Sequence, residues 1–143
     1  MTAHPRPSHL PLESWRPRAA IVPGTSVVIA IDEQTPGADM YAGMIAIPPG
    51  ERVPLHWHHV GEMQLVLSGR GLLVDAGGGE APVGPHDMVF APAGEPGAHG
   101  FCNTGELPLI MVFLYSSPGG VWVPSIPVSA TPSSREPTEA TRP

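Results

Sequence analysis

The sequence predicts an all-β domain made of short strands. The chain has 143 residues, among them 20 Pro and 17 Gly, and both residue types disfavour long helices and favour turns. Between these turn residues, runs rich in β-branched and aromatic side chains recur at short spacing, which is typical of a sandwich or a jelly-roll barrel. The runs show no internal repeat, so we expect one domain with one core.

Each predicted strand is bounded by residues that break strands or form turns. The second strand ends at Pro48-Pro49-Gly50, and the Ser-Gly-Arg-Gly stretch at residues 68–71 forms the turn between the fourth and fifth strands. The glycine-rich stretch 75–80 predicts a hairpin loop after the fifth strand. The eight predicted strands cover residues 26–31, 40–47, 53–58, 62–67, 72–75, 88–91, 97–103 and 109–115.

Two terminal segments differ in composition from the predicted domain. Residues 1–20 are rich in Pro and Arg and predict a flexible N-terminal arm. Residues 124–143 are rich in Pro, Ser and Thr and predict a disordered C-terminal tail. The domain itself is therefore expected to span residues 21–123.

The charge of the chain argues against several classes of partner. The formal net charge is −6, and the chain has no Lys. Within residues 21–123, Arg52 and Arg70 are the only arginines beside ten carboxylates. This balance lacks the basic surface that nucleic acid requires, and the absence of Lys excludes Schiff-base chemistry. A highly anionic substrate would have to be held by a metal, by backbone amides or by these two arginines.

The sequence predicts a soluble protein that does not bind membranes. No segment approaches the roughly 18 continuous apolar residues of a membrane span, and no apolar run follows the first residues as in a signal peptide. Cys102 is the single cysteine, which excludes an intramolecular disulfide. We therefore expect a cytoplasmic location.

The stretch His56-Trp57-His58, followed by Glu62, carries the clearest chemical signal. Side chains alternate between the faces of a strand, so His56 and His58 project the same way. Glu62 keeps this parity past a break at Gly61 and can return to the same point from an adjoining strand. Two imidazoles and a carboxylate suit a divalent metal such as iron, zinc, nickel, manganese or copper. A lone His-x-His pair is more often a surface feature, so the surrounding spacing decides the interpretation.

That spacing resembles the first motif of the cupin superfamily. Gly50 is followed by five residues, His56-x-His58, three residues, Glu62, six residues and Gly69. The match extends over every spaced position of the motif, and it is therefore far more specific than a lone His-x-His pair.

A later stretch resembles the second cupin motif, which contributes a further ligand from another strand. It consists of Pro92-x-Gly94, His99 and Asn103. Two positions depart from the family pattern. His86 stands where the family usually has a glycine, and four residues rather than two separate Gly94 from the histidine. The second departure predicts a longer loop before His99.

The resemblance covers about residues 40–115 and implies a single cupin jelly-roll β-barrel, also called a double-stranded β-helix. It further implies one divalent transition metal (iron, zinc, manganese, nickel or copper), held by three histidines and one glutamate in the barrel. In this chain those ligands are His56, His58, Glu62 and His99.

The same ligand set serves many reactions in cupins, so the resemblance leaves the function open. We expect a metal-dependent enzyme that acts on a small organic substrate, with dioxygenase chemistry slightly favoured. The alternative is a redox-silent cyclase of the polyketide type, an isomerase or a lyase. A candidate of another class is a non-catalytic cupin that binds a metal and a small ligand.

Strand parity selects two candidate catalytic residues beside the predicted ligands. Gln64 shares the face of Glu62, two residues along the same strand, and could hydrogen-bond a substrate. Tyr115 is a candidate proton donor on the last strand, both of whose faces are apolar and therefore predicted to be buried. Phe101 and Asn103 share the parity of His99 and are expected to line the pocket.

Several other residues receive no site role from the sequence. His59 and His86 are expected on the surface, and Cys102 has the opposite parity to His99. The apolar segments 27–31 and 121–123 flank the predicted core, and an unpaired edge strand favours association with another copy. We therefore expect a homodimer.

Overall fold

The computed structural model describes residues 4–19 and 22–128, in which eleven strands form two packed antiparallel sheets. The six-stranded sheet has the order β1-β2-β3-β10-β5-β8, and the five-stranded sheet has the order β11-β4-β9-β6-β7. Three single-turn 3₁₀ helices are the only helices of the described residues, and none is long enough to cross a membrane. The strands are β1 (Arg16–Arg18), β2 (Ser26–Ile31), β3 (Tyr41–Ile47), β4 (Arg52–Trp57), β5 (Glu62–Ser68), β6 (Gly71–Asp75), β7 (Glu80–Val83), β8 (Met88–Ala91), β9 (His99–Cys102), β10 (Leu109–Tyr115) and β11 (Ile126–Pro127).

The core lies between the inner faces of the two sheets, as alternation along the strands requires. β10 shows this alternation clearly, because Leu109 and Met111 are fully buried while Ile110 and Val112 are half-buried on the outer face. The prediction that both faces of this strand are buried is therefore wrong for the described structure. The buried core falls into two clusters, Val27, Ile29, Tyr41, Phe113, Tyr115 and Val123 in one, and Ile47, Val66, Val83, Phe101, Leu109 and Met111 in the other.

The predicted closed barrel is replaced by two sheets that do not join. No strand of the described residues belongs to both sheets, and the free edges are β1, β8, β11 and β7. Three of these edge strands contain a proline, namely Pro17, Pro82 and Pro127. A proline has no backbone N–H to donate to a further strand, so pairing stops at these edges.

Both predicted terminal segments contain ordered strands. β1 lies inside the predicted arm 1–20 and pairs with β2, and β11 lies inside the predicted tail 124–143 and pairs with β4. The expectation of disorder is thus wrong for residues 16–18 and 126–127, because each segment completes a sheet edge. The parts of that expectation that fall on residues 1–3, 20 and 129–143 lie outside the described residues.

Two turns have the backbone that the sequence suggested. The predicted loop at 75–80 closes the β6–β7 hairpin, where Asp75 Oδ1 accepts hydrogen bonds from the backbone N–H groups of Gly77 and Gly79. At the other turn His86 is exposed and has a φ of 77°, the left-handed conformation that glycine adopts most easily. His86 therefore adopts the backbone conformation that the glycine usual at this cupin position would favour.

Candidate metal centre

Three strands bring the four predicted ligands to one point between the sheets. His56 is the last residue but one of β4 and is paired with His99, the first residue of β9, while His58 follows β4 directly. Glu62 opens β5 in the opposite sheet. One donor atom from each residue lies within 4.8 Å of all the others. His58, Glu62 and His99 are buried and His56 is half-buried, so the cluster is formed and largely enclosed.

Each of the three histidines has its Nδ1 atom against a backbone carbonyl. The acceptors are Pro54 O for His56 at 2.8 Å, Pro124 O for His58 at 3.0 Å and Gly97 O for His99 at 2.9 Å. A carbonyl only accepts, so Nδ1 must carry the hydrogen and donate it. This contact fixes the tautomer of a neutral ring and leaves Nε2 free as a metal ligand.

Two of the Nε2 atoms lie so close to a carboxylate oxygen that a cation is needed between them. Glu62 Oε1 is 2.8 Å from His99 Nε2 and 3.1 Å from His58 Nε2. The buried His58 Nε2 has no aligned hydrogen-bond partner among the described residues. With hydrogen on Nδ1, each Nε2 directs a lone pair toward a carboxylate oxygen, and two acceptors repel at this distance. A divalent metal among these atoms removes the repulsion, so the donor set fits such an ion.

The ionisation of the metal-free cluster agrees with this view. Burial, together with the neighbouring His99, lowers the pKa of His56 to about 4, so this ring is neutral near pH 7. At Glu62 the effect of burial is outweighed by the neighbouring His58 and His99 rings, and at His99 it is outweighed by the hydrogen bond to Glu62. The pKa of Glu62 is therefore lowered and that of His99 is raised.

The longer loop before His99 supports the centre instead of displacing it. The additional residues form a 3₁₀ turn at Glu95–Gly97, and the carbonyl of Gly97 accepts the hydrogen bond from His99 Nδ1. The backbone N–H of Gly94 donates to His58 O at 2.8 Å, which ties the same loop to a second ligand. The departure from the cupin spacing therefore provides the acceptor that orients His99.

A cavity of about 320 Å³ opens beside the cluster. His56 and Glu62 lie on its wall, and most of the remaining wall is apolar, with Phe101, Met111 and Phe113 among its side chains. Such a predominantly apolar cavity with a few polar groups is typical of a site for a small organic molecule. The polar residues of the wall are Arg18, Thr25, His56, Glu62, Gln64, Tyr115 and Ser125.

Both candidate catalytic residues line this cavity. Gln64 is buried, and its Oε1 atom has no hydrogen-bond partner among the described residues. Tyr115 is buried between the rings of His58 and Tyr41, at centroid distances of 4.6 and 5.9 Å. Burial and the neighbouring Glu62 carboxylate raise the pKa of Tyr115 well above 10, so its hydroxyl stays protonated. The two side chains therefore offer one acceptor and one donor to a bound molecule.

Other residues of the second motif have different roles from the ligands. Phe101 lines the cavity as expected, but Asn103 does not. Its amide nitrogen donates to Ile47 O and Leu107 O at 2.7 and 2.9 Å, and its Oδ1 accepts from Gly105 N. Asn103 therefore holds a loop in place, because its side chain is fully used by backbone groups. Cys102 is half-buried and is not part of the cavity wall.

Sequence reasoning missed two contributions to the site, and both come from the terminal segments. Arg18 enters the cavity wall from β1, and the carbonyl of Pro124 orients His58. The sequence did not reveal these two residues, because the Pro-rich composition of both terminal segments predicted a flexible arm and a disordered tail. The alternation of Arg16, Pro17 and Arg18 is compatible with a short edge strand, but it becomes evident only once β2 is present as a partner.

Comparison with known proteins agrees with this architecture. Residues 43–115 match the family model described as "Cupin domain". A search of curated proteins finds no match.

Solved structures with a similar fold include enzymes of different classes. The polyketide cyclase RemF from Streptomyces resistomycificus has a TM-score of 0.71 and 23% identity over 89% of each chain. A cupin sugar phosphate isomerase from Silicibacter pomeroyi has a TM-score of 0.64 and 22% identity over 86% of this chain and 98% of that one. The Mn(II)-containing oxalate decarboxylase of Bacillus subtilis has a TM-score of 0.63 and 20% identity over 82% of this chain and 31% of that one. At these identities the likeness concerns the fold.

Proposed function

The chain belongs to the cupin domain family, and on that premise we propose that it is a metal-dependent enzyme acting on a small organic substrate. The observation that carries this proposal is the position of the four-residue cluster. Two of its members, His56 and Glu62, form part of the wall of a mainly apolar cavity of about 320 Å³. A metal-binding set beside an apolar cavity is suited to hold one reacting group of a molecule whose body fills the cavity.

We further propose ring closure as the reaction class, in place of the dioxygenase chemistry that the sequence slightly favoured. In an aldol-type closure, a carbon beside one carbonyl loses a proton and bonds to the carbon of a second carbonyl, whose oxygen gains a proton. No oxidant is consumed, and later loss of water makes the ring aromatic. The observation that favours this class is the buried hydroxyl-bearing side chain of Tyr115 in the cavity wall, beside Gln64. The fold likeness to a polyketide cyclase is in accord with it.

The residues of the chain have separate tasks in this scheme. A divalent metal, when bound, supplies a Lewis acid that polarises a carbonyl oxygen of the substrate. Tyr115 holds a proton that it can donate to the oxygen that receives the electron pair, and the proton released by the attacking carbon restores the phenol. Gln64 Oε1 accepts a hydrogen bond from a substrate hydroxyl and orients it. The apolar walls around Met111 and Phe113 exclude water from the reacting groups.

Two alternatives, a dioxygenase and a non-catalytic cupin, can be distinguished from this proposal by O₂ consumption and by turnover. A dioxygenase uses the same ligand set, but it needs a redox-active metal and consumes O₂. A non-catalytic cupin binds metal and ligand without turnover.

The test is metal analysis of untagged, anaerobically purified protein by inductively coupled plasma mass spectrometry. We expect close to one divalent metal per chain, and almost none in the His56→Ala/His58→Ala variant. The matched control is His59→Ala/His86→Ala, which removes two exposed histidines and should keep the metal. Zinc would support ring closure, whereas iron, copper or manganese together with O₂ consumption would favour the dioxygenase. Absence of metal even after reconstitution would refute the enzyme proposal.

A further inference from the structure

A single cation lies in the wall of the apolar cavity. Among the described residues that line it, Arg18 is the only Arg or Lys. The neighbouring Arg16 is mostly exposed and forms an ion pair with Asp32, but no described carboxylate lies within ion-pair distance of Arg18. A guanidinium that is partly withdrawn from water without a counter-ion is unfavourable unless a ligand provides one.

The guanidinium of Arg18 is held in a fixed orientation. Its Nη1 atom donates to the Tyr41 hydroxyl at 2.8 Å, and its Cζ atom lies 5.7 Å from the ring centre of Tyr41 and 5.6 Å from that of Trp122. Stacking on two aromatic rings and one hydrogen bond restrict the side chain before any ligand binds. The cost of ordering Arg18 on binding is therefore small.

One edge of this guanidinium remains available. Among the described residues, neither the buried Nε atom nor Nη2 has a hydrogen-bond partner. The N–H groups of Nε and Nη2 lie side by side in the planar guanidinium, and their spacing matches the two oxygens of a carboxylate. A role limited to packing would leave this edge unused, whereas native proteins rarely leave buried donors unpaired.

Contacts between neighbouring rings connect the Arg18 guanidinium to the metal centre. Aromatic contacts lead from Arg18 to Tyr41, from Tyr41 to Tyr115 at 5.9 Å and from Tyr115 to His58 at 4.6 Å. Because Arg18, Glu62 and Gln64 line one cavity, a single flat molecule can contact all three.

We propose that Arg18 is the substrate-recognition residue of this site and that it binds a carboxylate on an otherwise flat, apolar molecule. The substrate class is thus an aromatic or polyenolic monocarboxylate, with hydroxyl groups that donate to the oxygens of Glu62 and Gln64. This inference rests on the proposed function only in taking the cavity as the substrate site. Of the groups that the sequence offered for an anionic substrate, namely a metal, backbone amides and the two arginines Arg52 and Arg70, neither arginine lines the cavity.

The test compares two probes of equal shape by isothermal titration calorimetry, namely 2-naphthoate and its neutral counterpart 2-naphthamide. We expect the purified protein to bind the carboxylate about tenfold or more tightly than the amide, as a charge-assisted pair of hydrogen bonds would produce. In Arg18→Gln this ratio should fall to near one, with amide binding changed little. Arg18→Lys keeps the charge but loses the planar edge, so an intermediate ratio is expected.

The control is Arg16→Gln, which removes a cation from the same strand outside the cavity and should leave the ratio unchanged. A ratio that persists in Arg18→Gln, or that is absent from the unsubstituted protein, would overturn the inference. The ratio is also measured in His56→Ala/His58→Ala, where its survival excludes the metal as the carboxylate ligand. A metal-free protein with an Arg18-dependent ratio would reject the proposed function alone, and a metal-bearing protein without it would reject this inference alone.

Discussion

At the scale of single residues, the identity of the ligands is easier to predict than the groups that orient them. The resemblance to the two cupin motifs was sufficient to predict that the donor atoms of His56, His58, Glu62 and His99 meet, and these atoms lie within 4.8 Å of one another. Two of the orienting carbonyls, Pro54 and Gly97, lie two residues before the histidine that they contact. The third acceptor, on Pro124, is 66 residues from His58 and has no local signal in the sequence.

The buried tyrosines give a prediction about pH. Burial raises the pKa of Tyr41 and of Tyr115 above the ordinary value of 10, so the folded chain keeps protons that the unfolded chain releases. Stability should therefore be unaffected up to about pH 10 and fall as the pH rises further, because the unfolded state then binds fewer protons.

Absorbance at 295 nm during a pH titration measures this effect. The folded protein should show little tyrosinate at pH 10, where the chain unfolded in guanidinium chloride is about half ionised. The Tyr115→Phe variant should remove the tyrosine that ionises at the higher pH. Half-ionisation of both tyrosines near pH 10 in the folded protein would contradict the prediction.

At the scale of elements, the central strands and the edge strand β8 were predictable, and the other three edge strands were not. β2, β3, β5 and β10 are long runs of apolar and β-branched residues, and their predicted bounds agree with the structure to within about one residue. β1, β7 and β11 each contain a proline and have two to four residues, so propensity alone disfavours them. Their pairing with an existing strand forms them, which is a tertiary effect that composition does not reveal.

The 3₁₀ turn before β9 gives a prediction about metal affinity. A Cβ atom at Gly97 would lie only 1.9 Å from the carbonyl oxygen of Pro92, so Gly97→Ala must shift the backbone that accepts the hydrogen bond from His99. We expect a loss of about 10- to 100-fold in metal affinity, which is typical when a group that orients a ligand is removed.

Competition between the protein and a chromophoric chelator for Zn²⁺ measures this affinity. Gly77→Ala is the matched control, since its new Cβ atom would approach no heavy atom closer than 3.6 Å. Equal zinc affinity in the two variants would show that the turn does not orient His99.

At the scale of the whole molecule, the structure indicates a different surface for the expected homodimer interface from the one that the sequence suggested. β2 is paired on both sides, by β1 and β3, and Val27 and Ile29 lie in the core, so the segment 27–31 offers no free edge. The outer face of the six-stranded sheet is instead apolar, and its edge strand β8 exposes Met88 at 64% and Phe90 at 70%. We propose that a second copy of the chain covers this face, because an exposed apolar edge is otherwise an aggregation site.

Light scattering after size-exclusion chromatography tests the dimer. The protein should have twice the chain mass of 15.0 kDa, and Met88→Ser/Phe90→Ser should be a monomer at the same concentration. Leu107→Ser, which replaces an exposed leucine in the loop before β10, is the control and should remain a dimer. A monomeric unsubstituted protein, or a dimer that survives the double substitution, would reject this interface.

The contributions of β1 to the cavity and of Pro124 to the orientation of His58 have a consequence for how this protein can be redesigned. Both lie outside residues 43–115, the part of the chain that the family model recognises. A fragment cut to that boundary would retain all four metal ligands but neither Arg18 nor the carbonyl that orients His58. Conversely, exchanging only the terminal segments between homologous chains offers a modular route to new substrate preferences, with the metal ligands left untouched.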